Sequence, residues 1–506
     1  MSRTDKAVKN LFYALIGQAS GLIISFVARI FFVKTLGAQY LGVNGLFTNV
    51  LTILSFAELG IGAAIIFCLY EPLANGDKEK IKSLMHLYKT AYGWIGASIL
   101  LIGLVLTPFI RVLVKSDSYI ADLEMIFFLF VLNSATSYFY SYKRSLIIAN
   151  QDKYITTIYR YAFYLMLNVT QIVFLILTRN YIVFLILQVL FTLAENICVS
   201  KQADKLYPFL SEADIQPIDK KTKTTIVQNV KAMLFHKTGS ILVGATDNIV
   251  ISKVLGIASV GIYSNYSLVT QALHMAFSLF FSSATAGIGN LGTSGDKKHI
   301  TTVFYRIFFM NFVIYGISSI VFINLINPFV TLWLGNDFLL DKTIVIILGI
   351  NFYLTGIRKT VLTFREAFGL YWCDRYKPIF ESAINLVASI FLAYRLGLAG
   401  VFCGTIISSV TTCCWIEPFM LYKHGFGASS KPYFLKLAVY TVLLVMIELM
   451  VEFICSSFVL PAFLTLLVYA VVSFIIPSAV ILLLFSRTDE LRYLLCLCKR
   501  TILRKK

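Results

Sequence analysis

Seven ionisable residues stand inside long apolar stretches of this sequence: Arg29, Glu58, Arg160, Lys237, Asp247, Arg306 and Arg358. Charge is costly in hydrocarbon, so a charged side chain kept there is a candidate for function. The five cations, Lys237, Arg358, Arg160, Arg306 and Arg29, suit an anionic head group, because Arg and Lys satisfy phosphate oxygens by charge-assisted hydrogen bonds. Glu58 and Asp247 are candidate coupling-ion sites, since a carboxylate in apolar surroundings either pairs with a cation or takes up a proton. The competing readings are structural. Asp247 is also a plausible ion-pair partner for Arg29, and a long cationic side chain two turns from a helix end can snorkel to the head groups. That escape is open to Arg160 and Arg306 and harder for Lys237 and Arg358, about three turns in at roughly 1.5 Å per residue. Glu195, His236 and Lys359 also fall within or near apolar runs.

Other chemistry is missing from the sequence. There is no GxxxxGK[ST] nucleotide loop, no HExxH, no GxSxG and no haem motif. The nine cysteines form no CxxC pair and have no histidine at ligand spacing, so neither a zinc site nor a disulfide framework is expected. No cofactor is predicted. The glycines of "GTSGDKK" (292–298) sit in a short loop and read as a turn.

The elements that must position these charges follow from composition. Of 506 residues, 58% are hydrophobic and only 14% charged, with mean hydropathy +0.80. A soluble domain is nearer half apolar and a quarter charged. The excess recurs as runs of 20 or more residues, each long enough to cross a hydrocarbon layer of roughly 30 Å. The sequence therefore predicts an all-α polytopic membrane protein. The net charge of +18 is assigned to the basic bias of cytoplasmic loops and not to nucleic acid. The basic N-terminus leads into an apolar run too long for a signal peptide, and reads as a first transmembrane helix.

Helices are expected at about 10–33, 42–68, 82–108, 118–146, 154–178, 181–203, 226–252, 258–290, 298–326, 339–367, 373–394, 399–422, 432–454 and 460–485, which makes about 14. With the N-terminus inside, 28 of the 44 Lys and Arg fall in inner segments and 7 in outer ones, which places both termini in the cytoplasm. The domain plan is an N-lobe at 1–203, a cytoplasmic linker at 204–225, a C-lobe at 226–424, a helix pair at 425–486 and a basic tail at 487–506. That tail reads as an amphipathic segment lying on anionic membrane lipids.

The two lobes echo each other. "KTLGAQYLGVNGLF" (34–47) falls on "KVLGIASVGIYSNY" (253–266) at an offset of 219 residues, matching Lys34, Leu36, Gly37 and Gly42 to Lys253, Leu255, Gly256 and Gly261. The same offset carries the starts of helices 1, 3, 4, 5 and 6 close to those of helices 7, 9, 10, 11 and 12. Two pseudo-symmetric six-helix lobes plus a C-terminal helix pair are expected, related by an axis along the membrane normal. The repeated phrase is either an external hinge or a tight turn between packed helices, and the turn is favoured. The charges do not repeat: Arg29 falls on Asn248, Glu58 on Phe277 and Arg160 on Ile379. A need common to both lobes would have appeared twice. Gly17 and Gly21 form one GxxxG, read as close helix packing.

A six-plus-six-plus-two plan resembles the multidrug/oligosaccharidyl-lipid/polysaccharide (MOP) exporter superfamily. "FVARIFFVKTLGAQYLGVNGLF", "AELGIGAAI" (57–65), "ATDNIVISKVLGIASVGIYSNYSLV" (245–269) and "RLGLAGVFCGTIIS" (395–408) are similar to segments of its bacterial polysaccharide-unit, Wzx-like flippases. The resemblance implies a non-enzymatic transporter of the bacterial cytoplasmic membrane. Such a protein moves an undecaprenyl-pyrophosphate-linked oligosaccharide from the inner to the outer leaflet by alternating access, coupled to H+ or Na+, beside the polysaccharide polymerase machinery. The branch has no shared substrate motif, so the residues above rest on the charge argument alone. The alternatives are a drug, metabolite or cation exporter of the same superfamily, and a membrane-embedded glycan polymerase. The latter is disfavoured by outer loops no longer than roughly 16 residues.

Overall fold

A computed structural model describes residues 3–503 apart from 59–60, 115–119, 213–214, 220–221, 225, 229, 231–243, 245, 294–296, 371–375 and 459. The described residues form α-helices with short 3-10 and π turns and no strand. This is the outcome hydrocarbon demands, since helices satisfy their own backbone hydrogen bonds. Among the described residues ten helices are long and apolar enough to span a membrane, or eleven when the bent pair Leu123–Phe139 and Ser141–Ala149 counts as one span.

The chain divides into two compact units, Met1–Gly261 and Ile262–Lys506. The first holds α1 (Arg3–Leu54), α2 (Ile61–Asn75), α3 (Lys78–Leu106), α4 (Leu123–Phe139), α5 (Ser141–Ala149), α6 (Lys153–Thr178) and α7 (Tyr181–Leu206). Then come α8 (Ile257–Thr293), which crosses the division, α9 (Lys297–Trp333), α10 (Lys342–Ile357), α11 (Lys359–Ala367), α12 (Lys377–Leu396) and α13 (Leu398–Ser408). The chain finishes with α14 (Cys414–Met420), α15 (Lys431–Ser456), α16 (Ala462–Phe485) and α17 (Asp489–Leu503). Every predicted helix has its counterpart except 226–252, most of which lies outside the described residues.

Two differences from the predicted boundaries bear on the site. The first two expected spans run together through α1, broken at Gly37, whose φ of 80° and ψ of −176° suit a residue without a Cβ. The second predicted helix then ends early, and a 3-10 turn at Ser55–Glu58 carries Glu58 at the junction with α2. The Ser55 hydroxyl donates back to the Leu51 carbonyl at 2.8 Å, the kind of local bond that bends a helix.

Caps set the helix starts. Asp77 accepts from the Lys80 N–H at 3.0 Å, Asn180 from the Ile182 N–H at 2.8 Å, and Asp341 from the Thr343 N–H at 2.8 Å. The Thr343 hydroxyl and N–H hold the Asp341 carboxyl below the usual carboxylate range.

Within the N-terminal unit α1 packs on α6, where Gly17 and Gly21 lie against the Tyr161 ring and Ser25 Oγ meets Tyr164 OH at 2.6 Å. The expected close approach at this GxxxG is present. Beyond α7 the start of the linker is fastened to α3: Ser83 Oγ donates to the Gln216 carbonyl at 2.6 Å, and Lys82 Nζ bonds Glu212 at 3.1 Å. The C-terminal unit has an aromatic core in which Phe304, Phe308, Phe312, Tyr433 and Tyr440 are buried. Phe312 stacks on Tyr440 at 4.3 Å. Lipid tails are as apolar as these rings, so packing and ring geometry, about 0.5–1.5 kcal/mol per aromatic pair, supply the cohesion.

Candidate functional site

The break after Ser55 turns Glu58 into a polar cavity of about 330 Å³ inside the N-terminal unit. Roughly ten waters would fit at ~30 Å³ each. Two phenols hold the Glu58 carboxylate: Tyr92 OH on α3 donates to Oε1 at 2.7 Å, and Tyr138 OH on α4 to Oε2 at 2.9 Å. One turn before Tyr92, Tyr88 OH reaches Tyr92 OH at 3.2 Å and Ser145 Oγ at 3.0 Å. Gly62 on α2 leaves the room these phenols occupy, since a Cβ there would stand 2.7 Å from Tyr88 OH.

The other wall comes from α5 and α7. The chain bends by 47° between α4 and α5, which swings Arg144 into the cavity. Its Nη2 donates to Glu195 Oε1 at 2.5 Å and to Asn196 Oδ1 at 3.2 Å. Its Nε is buried and has no hydrogen-bond partner among the described residues. Ser137, Ser141 and Thr192 complete the lining. The cavity thus holds two carboxylates and one guanidinium among hydroxyls and amides. It can bind water, a proton or a small cation, and the free Nε–H can donate to an incoming acceptor.

The predicted cations fare differently. Arg160 is exposed on α6, and Arg29 is half-buried on α1. Asp247 is half-buried on a short helical stretch before α8. Lys237, with His236, lies outside the described residues. Arg306 was expected to face a substrate. It donates instead to Asp489 Oδ2 from Nε at 3.1 Å and Nη2 at 2.7 Å, and covers the Tyr493 ring at 4.6 Å. It ties α17 to α9. Lys436 on α15 bonds Glu490 at 2.6 Å from a second side.

Arg358 departs furthest from expectation. It sits at the junction of α10 and α11, where its guanidinium grips Glu417 from Nε to Oε2 at 2.9 Å and from Nη2 to Oε1 at 2.7 Å. Lys377, at the start of α12, bonds the same Oε1 at 2.5 Å and lies 3.4 Å from Glu381. Glu417 is fully buried. The four formal charges cancel within the C-terminal unit. Glu417 is carried by α14, flanked by π turns at Ser409–Cys413 and Leu421–Phe426. Pro418, which lacks the donor a regular helix needs, follows Glu417 directly.

Arg144, Tyr92 and Tyr138 were missed as site residues. Arg144 reads as loop charge in "SYKRSL" because the bend that turns it inward leaves no mark in hydropathy. Of the C-terminal quartet only Lys377 and Glu381 had a local signal, their i,i+4 spacing.

Comparison with solved structures defines the fold. A lipid II flippase MurJ in an inward closed conformation matches with a TM-score of 0.63 at 13% identity, covering 95% of this chain and 99% of that one. An inward-facing multidrug resistance MATE family transporter of the MOP superfamily matches with a TM-score of 0.62 at 15% identity, covering 80% and 94%. A MOP superfamily transporter from Pyrococcus furiosus, described as having a binding pocket of reverse polarity, gives 0.54 at 14%, covering 83% and 97%. No family model matches the sequence, and no curated protein sequence matches it. The chain is a multi-pass membrane protein with the fold of MOP superfamily transporters. Identities this low carry the fold alone.

Proposed function

We propose that the protein is a flippase for a lipid-linked oligosaccharide. It moves undecaprenyl-pyrophosphate-linked polysaccharide units from the cytoplasmic to the outer leaflet of the bacterial inner membrane, with both termini in the cytoplasm. The observation that carries the reading is coverage. The lipid flippase structure accounts for 95% of the chain, while the multidrug and other MOP structures account for 80–84%. In this reading Glu58 is the coupling site: protonation would turn one of its oxygens from acceptor to donor, reverse one of the two phenol hydrogen bonds and let the junction of α1 and α2 rearrange. Asp247 is the second coupling candidate, and Arg160, Lys237 and Arg29 are the proposed contacts for the pyrophosphate. Arg306 and Arg358 leave that list because carboxylates neutralise them.

A second reading, a cation or drug antiporter, is favoured by the cavity's two carboxylates against one guanidinium. One experiment separates the two. In a deletion strain, labelled lipid-linked glycan retained on the inner leaflet and released by re-expression supports flipping. Normal surface glycan with lost resistance to cationic drugs overturns it.

A further inference from the structure

An apolar groove of about 340 Å³ runs along α9, α10 and α15 in the C-terminal unit, walled by Ile323, Ile346, Ile350, Leu444 and Leu449. One carboxyl group opens into it without a cation of its own. Glu448 on α15 is met by the Asn324 side chain on α9, whose single Nδ2 lies 3.0 Å from both Glu448 oxygens. The same Nδ2 also donates to the Ile320 carbonyl at 2.9 Å, leaving one N–H shared between two carboxylate oxygens. An ionised carboxylate has about four acceptor sites to fill, so this is poor solvation for a charge in an apolar groove. The complementary defect lies beside it. Asn324 Oδ1 is buried and accepts no hydrogen bond among the described residues.

The surrounding charges point the same way. Glu452, one turn along the same face of α15, is paired with Lys342 on α10 at 3.0 Å. The ionisable groups about Glu448 are Lys342 and Tyr353 on α10, Glu452 and Cys455 on α15, and Tyr469 on α16 beyond Cys455, while α9 presents the neutral Asn324 and Ser319. One lysine thus stands between two carboxylates and is engaged by the outer one. Like charges one turn apart in low dielectric are not both kept ionised.

We propose that Glu448 is a proton-binding site of the C-terminal unit: its carboxylate takes a proton from water at the Lys342–Glu452 end of the groove, holds it in an O–H group that hydrogen-bonds to Asn324 Oδ1, and returns it to water. Protonation forms the O–H bond that fills the orphaned acceptor and removes the unpaired charge together. Neither gain is available to Glu452, which already has Lys342. The site is separate from Glu58 and does not depend on which substrate the protein carries.

Dicyclohexylcarbodiimide, an apolar reagent for protonated carboxyl groups, tests this on the full chain in lipid nanodiscs, with peptide mapping by mass spectrometry. The expected result is modification of Glu448 and not of Glu452. Its rate should fall about tenfold per pH unit once the acid begins to ionise, read between about pH 6 and about pH 9. Glu448→Gln, which keeps the neutral shape, should melt at or above the wild-type temperature and lose the label. No label on Glu448, a rate that ignores pH, or an E448Q protein that melts well below wild type would each overturn the proposal.

Discussion

Gly42 and Gly261 meet with no room for a side chain between them: a Cβ on Gly261 would stand 3.0 Å from the Gly42 nitrogen and run into the Ala38 carbonyl. A Cβ on Gly42 would run into the Ile257 carbonyl. Ala38 and Ile257 are themselves related by the 219-residue offset that relates the two glycines. The contact is therefore one interaction made twice with the partners exchanged. Backbone against backbone leaves little freedom for a hinge here. The phrase is a packing device.

Substitution at this contact should cost stability. Gly42→Val or Gly261→Val forces backbone apart and is expected to destabilise by about 1–3 kcal/mol. Gly37→Ala meets no neighbour within 4 Å, but its φ of 80° with ψ of −176° is a conformation essentially reserved to glycine, so about 1–3 kcal/mol is expected from backbone strain alone. Fluorescence-monitored melting in detergent checks both; a Gly42 or Gly261 valine variant that melts like the wild type would contradict the packing role.

The ion quartet makes a second prediction. Glu417→Gln leaves Arg358 and Lys377 facing each other in a buried site, and about 3–5 kcal/mol of destabilisation is expected. Arg358→Ala should also lower membrane abundance, unlike a residue whose role is to hold substrate. Glu381→Gln should be much milder, because Glu381 lies 3.4 and 3.9 Å from its cations while Glu417 is gripped from both sides. Immunoblots of membranes with melting of the purified variants would decide. A normal, abundant R358A protein would return Arg358 to the list of substrate contacts.

Glu58→Gln, which resembles the protonated carboxyl, should leave the fold intact, since its amide oxygen keeps one phenol donor and its NH2 can donate to the other phenol oxygen. Gradient-driven transport in vesicles should drop to the level of vesicles without the protein. Tyr92→Phe and Tyr138→Phe each remove one donor and should shift the pH dependence of transport without abolishing it. Wild-type uptake by the Glu58 variant would end its assignment as a coupling site.

The C-terminal helix offers a test by exchange. Arg306→Ala removes two hydrogen bonds to Asp489 and a cation–π contact with Tyr493. An exposed ion pair contributes only about 0–1 kcal/mol, so α17 should loosen locally without unfolding the bundle. Faster hydrogen exchange confined to Asp489–Leu503, increased further by Lys436→Ala, is the expected signature. Slow exchange in the double variant would mean that apolar burial, at Leu491 in particular, holds the helix.

What the sequence determined by itself was everything that hydrocarbon imposes locally. Apolar runs predict where the helices lie, because each must cross the hydrocarbon. The offset between Gly42 and Gly261 predicts a repeat, because side-chain size and hydropathy act over one or two turns. Tertiary structure alone decided which charges are spent. Arg358 and Glu417 lie 59 positions apart, and a bidentate bond across that distance leaves no trace in composition. Arg144 is the reverse case, an apparent loop charge carried into a cavity by a 47° bend. Burial makes a charge costly wherever it stands. Only its neighbours determine whether that cost is met within the protein or kept for something it binds.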